Sequence, residues 1–172
     1  MKQRQISHLV KHSVLIGIAV AIVSASFLVK SCKTNHEFEV ALFNNLGSYS
    51  IDITSKSDDA QAFVTQGIIM ANAFNHAEAL RAFQQAVRLD STCAMAYWGI
   101  VYVLGPNYNT NSQGDNATIE KALLRAIKYA SETSPWEKAV IQALSEKFPS
   151  NGIANEEAYA VAMQRAAKEF PD

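Results

Sequence analysis

The sequence predicts an all-α protein built from repeated pairs of helices. Between residues 59 and 104, apolar residues recur every three or four positions, the spacing that places them on one face of a helix. Some of them also recur at a longer interval, since Tyr97 follows Phe63 by thirty-four positions and Leu104 follows Met70 by the same number. This interval accommodates two helices and a turn, so it predicts one helical hairpin per repeat.

The N-terminal 32 residues predict a hydrophobic helix that targets the chain to a membrane. Residues 14–29 contain no charge and are flanked by Lys11 and Lys30. Sixteen helical residues span about 24 Å, short of a hydrocarbon core of roughly 30 Å. Three interpretations stay open: an uncleaved signal anchor, a lipoprotein signal with lipidation at Cys32, and a cleaved signal peptide. Lys30 departs from the usual lipoprotein pattern, and a buried core helix is a fourth alternative.

The distribution of charge indicates on which side of the membrane the rest of the chain, here called the body, lies. It also argues against one class of partner. Four of the fifteen basic residues and none of the sixteen acidic ones lie in residues 1–32, which leaves the body with a formal charge of −5. Basic residues before the apolar segment predict a membrane-anchored body outside the cytoplasm, periplasmic or at the cell surface. An acidic body argues against a nucleic-acid partner, because phosphate binding needs a basic surface.

Residues 33–57 are polar and predict a tether that packs onto the first helix, with a possible short strand at residues 49–54 where β-branched residues alternate with polar ones. Ser57 then supplies an N-cap, and two acidic residues follow it in the first helical turn. The first helix should therefore run from about Asp59 to Ala73. Gly67 lies inside this helix and costs roughly 1 kcal/mol relative to alanine, so we expect the second helix to approach closely there.

The remaining helices follow from local signals. The second ends near Leu89, the third covers about residues 93–104, and a turn-rich stretch with about nine extra residues precedes the fourth, around Ala122 and Ala126. Ser134 begins a capping box with proline at the first helical position, which predicts a helix to about Lys147. Asn155 should cap the last helix. The predicted repeats are residues 58–91, 92–133 and 134–172.

The two helices of the first pair together carry the pattern of a known family. Gly67, Ala79, Phe83 and Ala86 occupy positions where the tetratricopeptide repeat has small, small, large and small residues. The blocks FNH, CAMAYWG and GPNYN between residues 74 and 109 resemble a group of bacterial tetratricopeptide-repeat proteins. The resemblance covers about residues 46–172 and implies a right-handed α-solenoid. Because the chain stops where another repeat would begin, we expect it to be a fragment or truncated member, with the last helix acting as a cap as the alternative.

The same resemblance implies which residues face a partner. Positions 2, 5, 9, 12 and 13 of the first helix in each repeat line the concave face of the family fold. In this chain they are Gln61, Val64, Ile68, Ala71 and Asn72, then Met95, Trp98, Tyr102, Gly105 and Pro106. Such an apolar and aromatic groove suits a peptide with apolar anchors, so we expect a scaffold for protein or peptide binding. Burial of Trp98 and Tyr102 against a neighbouring helix is the alternative.

A second candidate site lies at the turn edge. If the third helix runs antiparallel to the second, the loop after Gly105 returns to the end where His76 lies. His76, Asn107, Tyr108 and Asn109 could then form a polar site for a small ligand or an enzymatic reaction in a longer protein. Hydrogen bonds that only fix two loops are the alternative.

No catalytic constellation is recognisable in the sequence, and we expect no cofactor and no metal. About 20 Å of helix separates His76 from Cys93, too far for one metal ion. The two cysteines, Cys32 and Cys93, imply no disulfide framework.

Overall fold

The computed structural model describes residues 40–106, 116–148 and 154–171, which all belong to one compact unit, Val40–Asp172. Every regular element in these residues is an α-helix, so the all-α prediction is confirmed for this part of the chain. The helices are α1 (Asp58–Asn72), α2 (His76–Leu89), α3 (Ala94–Leu104), α4 (Asn116–Ala130), α5 (Pro135–Lys147) and α6 (Glu156–Glu169). Their bounds match the predicted ones to within about one residue, apart from the less closely specified α4.

The predictions for residues 1–32, including lipidation of Cys32, fall outside the described residues. None of the six described helices combines the length and apolar character that crossing a bilayer requires.

Helices that follow each other in the chain pack against each other, from α1 on α2 through to α6 on α5. In addition, α3 contacts both α1 and α5. The first helices of three successive pairs therefore lie side by side, whereas α2, α4 and α6 make no comparable contact with one another in the described residues.

One aromatic ring joins the first two pairs. Phe83 on α2 is fully buried and lies between Gly67 on α1 and Gly99 on α3. A Cβ atom at Gly67 would come within 2.6 Å of this ring, and one at Gly99 would also overlap it. The predicted close approach at Gly67 is confirmed. An interval of thirty-four residues from Gly67 leads to Val101, but the residue of α3 that contacts the ring is Gly99.

Residues 40–57, here called the strap, form no strand, so the predicted strand at residues 49–54 is wrong. A strand needs a neighbouring strand to bind its backbone groups, but side chains from the helices bind the strap instead. The buried amide of Gln66 accepts from the backbone N–H of Phe43 at 2.8 Å and donates to the carbonyl of Ala41 at 2.9 Å. Gln61 accepts more weakly from the N–H of Ile53, at 3.4 Å.

Two buried carboxylates hold the end of the strap. Glu137 accepts from the backbone N–H of Thr54 at 3.0 Å and from its hydroxyl at 2.7 Å. Asp90, in the turn between α2 and α3, accepts from the N–H of Lys56 at 2.8 Å and the hydroxyl of Ser55 at 3.0 Å. The strap is thus bound to α1, to the α2–α3 turn and to α5 by directional polar contacts.

Side-chain caps define the helix starts. The hydroxyl of Ser57 accepts from the N–H of Ala60 at 3.2 Å, and the predicted capping box is present, with the N–H of Ser134 donating to Glu137 at 3.0 Å. The carboxylate of Glu137 therefore has two roles: it caps the start of α5 and it binds the strap. These contacts satisfy backbone groups that a helix leaves unpaired at its first turn.

Candidate binding surface

Two aromatic rings on α3 form a flat face. Trp98 and Tyr102 are four residues apart, so they project from the same side of the helix. Their rings stack with centroids 5.1 Å apart and planes inclined by 7°. Tyr102 is 39% exposed, and Trp98 is half-buried against the core. The predicted burial alternative therefore applies in part to Trp98 and not to Tyr102.

The indole nitrogen of Trp98 is buried and has no hydrogen-bond partner among the described residues. Buried indole N–H groups usually find an acceptor, and leaving one unsatisfied costs roughly 1–3 kcal/mol. No other buried side-chain nitrogen or oxygen in the described part of the chain lacks a partner. The unsatisfied donor and the aromatic face thus coincide on one side of α3.

A further aromatic residue, Tyr159, lies on α6. The pKa of Tyr159 is raised to about 12, mainly by burial, with smaller contributions from the phenol of Tyr102 and the carboxylate of Glu156. The side chain of Tyr159 is half-buried and packs against the core.

Lys147, at the end of α5, links the segment after α3 to the start of α6. Its ammonium donates to the carbonyl of Pro106 at 2.9 Å and pairs with Glu156 at 3.0 Å. It also lies 5.1 Å from the ring centroid of Tyr159, within the range of a cation–π contact. Lys147 is 8% exposed, so its charge is largely shielded from solvent.

The other residues assigned to the concave face divide into core and surface. Val64 and Met95 are fully buried and contribute to the core, where a partner cannot contact them. Ala71 and Gly105 are also buried, and a Cβ at Gly105 would meet the ring of Phe148 at 2.7 Å.

The predicted residues that keep some exposure are Gln61, Ile68, Asn72, Trp98, Tyr102 and Pro106. Asn72 is the most open side chain on α1 among them, and its amide donates to the carbonyl of Ile68 at 3.0 Å. The exposed part of the predicted face is therefore aromatic on α3 and mixed on α1.

The second predicted site is described only at His76. This side chain is half-buried, and its ring stacks on that of Phe74, with centroids 6.4 Å apart. Phe74 is 72% exposed and has a φ of 60°, a conformation that costs most residues roughly 1–2 kcal/mol. Asn107, Tyr108 and Asn109 lie outside the described residues, so their grouping with His76 stays a prediction.

Several polar residues that organise the body were not identified from the sequence. Gln66 lies at a position where the periodicity indicates an apolar side chain, and Asp90 lies in a turn where acidic residues are common. Burial would raise the pKa of Asp90, but hydrogen bonds from Lys56, Thr92 and Ser55 lower it to about 2. The sequence did contain a signal for Gln66, because it is a polar residue at a position where the helical periodicity predicts a buried apolar one.

Cys93 has no accessible thiolate. It is fully buried, and burial raises the pKa of its thiol to about 11, against a weaker opposing effect from the N–H of Ala96. A nucleophilic or metal-binding cysteine needs the thiolate form. The arrangement around Cys93 therefore favours packing over chemistry.

Comparison with protein-family models, with curated proteins and with solved structures finds no match for this chain.

Proposed function

We propose that this chain is a membrane-anchored scaffold of the tetratricopeptide-repeat type, which binds a protein or peptide through the side formed by α1, α3 and α5. Three observations support a right-handed α-solenoid: the thirty-four-residue recurrence, the side-by-side contacts of α1, α3 and α5, and the ring of Phe83 between Gly67 and Gly99. In such a solenoid, each repeat contacts mainly its neighbours, and the first helices line the inner surface.

The observation that carries the binding function is the stacked pair of Trp98 and Tyr102. Aromatic residues supply most of the binding energy in many interfaces, because they bury a large rigid area at a small cost in side-chain entropy. A peptide that places an apolar side chain on these rings would bury the exposed part of Tyr102.

Selection from a displayed peptide library, followed by fluorescence-anisotropy titration of the selected peptide, tests this proposal. Tyr102→Ala should weaken binding about tenfold or more, as expected for a central aromatic residue. Tyr129→Ala is a matched control, because Tyr129 also stacks on a tyrosine of α3, Tyr97, with centroids 6.1 Å apart. Equal binding by the Tyr102 variant and the parent chain would contradict the proposal, as would failure to select any peptide.

Anchorage at the membrane rests on the uncharged residues 14–29 and the basic residues that precede them. Mass spectrometry of the mature N-terminus distinguishes the signal anchor, the lipoprotein signal and the cleaved signal peptide. An intact Met1 indicates a signal anchor, and a diacylated Cys32 indicates a lipoprotein. Cleavage without lipid would overturn the membrane-anchored part of the proposal and leave peptide binding to be tested separately.

A small-ligand or enzymatic site near His76 is the alternative, favoured by the exposed Phe74 beside it. Residues held in unfavourable backbone conformations cluster at functional sites. If this site binds a ligand, His76→Ala should abolish the thermal shift that a ligand from a metabolite panel produces. A shift that survives the substitution would exclude His76 from the site.

A further inference from the structure

A cleft of about 360 Å³ separates the strap from α1. Residues 42–50, here called the arch, form the other wall of the cleft. Gln66 holds the strap near the start of the arch and Gln61 holds it beyond the end. Gly47, with a φ of 88°, lies in this arch. The helical wall of the cleft includes Asp58, Thr65 and Ile69. The volume lies within the range of about 300–1,000 Å³ that is usual for small-molecule sites.

The arch supplies apolar and aromatic side chains that remain partly open to solvent. Tyr49 is 52% exposed, Leu42 is 49% exposed and Phe43 is 39% exposed, and all three line the cleft. Exposed apolar side chains gathered around one concavity are a feature of binding sites, whereas scattered ones are ordinary surface. The cleft therefore has an apolar contact area that the folded chain leaves uncovered.

The charge of the cleft is one-sided. Asp58 lines it, whereas no lysine, arginine or histidine is among its lining residues. The side chain of Asp58 forms no ion pair or hydrogen bond with any described residue. A carboxylate and aromatic rings that line the same cleft attract a cation by two effects, direct Coulomb attraction and the negative face of each ring.

We propose that this cleft binds a small organic cation, an amine or quaternary ammonium compound with a short apolar body. The carboxylate of Asp58 attracts the charged end, the faces of Tyr49 and Phe43 contact its methyl or methylene groups, and the apolar body lies against Leu42 and Ile69. Hydroxyls on such a compound find the side chains of Thr65 and Ser50 within the same lining. This site is separate from the aromatic face of α3 and does not depend on the function proposed for it.

Nuclear magnetic resonance titration of the full chain in detergent micelles tests the site, with choline as the probe. Amide shifts should move for residues 42–50 and 58–69, in a saturable manner. Neohexyl alcohol carries a carbon atom in place of the ammonium nitrogen and has nearly the same shape. It should bind about tenfold more weakly, because it keeps the apolar contacts and loses the charge.

Paired variants assign the charge to one carboxylate. Asp58→Asn should weaken choline binding about tenfold, whereas Asp59→Asn should leave it within about twofold. The two residues share the first turn of α1 and both changes remove one negative charge, but only Asp58 lines the cleft. Equal effects of the two changes would overturn the site, and Asp59→Asn also controls for altered stability of the helix.

Tyr49→Ala tests the aromatic part and should weaken choline binding about fivefold, in proportion to a cation–π contact of roughly 1 kcal/mol. The proposal is overturned if choline causes no saturable shift, or if it and neohexyl alcohol bind equally well. Shifts confined to α3 would also overturn it, since they would place the cation on the aromatic face instead.

Discussion

Two regions of the body are held together by opposite means. Between the first two helix pairs, the ring of Phe83 fills the space that Gly67 and Gly99 leave open, and the contact is apolar and steric. The strap carries few buried apolar side chains, Val40 and Ile53 among them, and is bound through backbone groups by Gln66, Asp90 and Glu137.

This difference determines what each region is sensitive to. Apolar packing tolerates changes of pH but not changes of volume. Hydrogen bonds to a carboxylate tolerate small shifts in shape but depend on its charge. Substitutions that change volume should therefore act mainly on the helix pairs, and substitutions that change charge should act mainly on the strap.

The largest effect is expected at Phe83. Phe83→Ala should lower the free energy of unfolding by about 3–5 kcal/mol, the usual cost of removing a buried ring, measured by urea unfolding of the full chain in detergent. Phe74→Ala is the control, since that ring is 72% exposed, and it should change stability by much less. A loss below about 1 kcal/mol at Phe83 would show that the ring does not join the two pairs.

The fit between Phe83 and the glycines can be tested by a double variant. Gly99→Ala should cost about 1–3 kcal/mol by overpacking. Adding Phe83→Leu should recover part of this loss, because the smaller side chain makes room for the new methyl group. Additive losses in the double variant would mean that the two positions do not interact.

Removing the carboxylate that joins the strap to α5 should have the next largest effect. Glu137→Ala should cost about 3 kcal/mol, because it leaves the backbone N–H of Thr54 and that of Ser134 without their acceptor. Amide hydrogen exchange at Thr54 should become faster in the same variant, because its N–H has lost its acceptor. Glu120→Ala, at an exposed position, is the control, and unchanged exchange at Thr54 would argue against the link.

The pH dependence of the strap should follow Asp90. Its pKa is about 2 in the folded chain and about 3.8 ordinarily. Its carboxylate therefore contributes about 2 kcal/mol of stability above pH 4, which is lost as pH falls from about 4 towards 2. Thermal unfolding from pH 7 to pH 2 should show a steeper loss for the parent chain than for Asp90→Asn. Parallel pH profiles would rule out this contribution.

The smallest expected effect is a gain of stability at the end of α1. The N–H of Phe74 donates to Ala71 at 3.1 Å and that of Asn75 to Met70 at 2.9 Å, a helix ending in which glycine is usual at the left-handed position. Phe74→Gly should therefore raise the free energy of unfolding by about 1 kcal/mol, measured in the same urea experiment. A loss of stability would show that the exposed ring has a structural role beside His76.

The predictions that the structure confirms rest on local signals. Helix starts at Ser57 and Ser134 were predictable because a cap and its first turn are contiguous in the sequence. The close approach at Gly67 was predictable because glycine is costly inside a helix unless something needs the space. The prediction of a strand at residues 49–54 was wrong. Alternation of β-branched and polar residues indicates only a preference for extended backbone, whereas a strand also requires a partner strand.

The candidate surface was only partly predictable. The repeat-like spacing predicted Trp98 and Tyr102 on one face, and their rings stack, but it also included Val64 and Met95, which the fold buries. The contacts of Lys147 with Pro106, Glu156 and Tyr159 were not predicted, because they join separate segments of the chain. Exposure at a given helical position depends on what packs over it, and a periodic pattern does not contain that information.

The amino-acid sequence by itself determined the helical class, the helix bounds and the need for a close contact at Gly67. These features depend on residues that are only a few positions apart in the chain. Only the tertiary structure decided that Glu137 would bind Thr54, 83 residues away, and that the strap would leave a cleft beside Asp58. Such contacts bring together groups that are distant in the chain, and their energies depend on burial and geometry that arise only once the helices have packed.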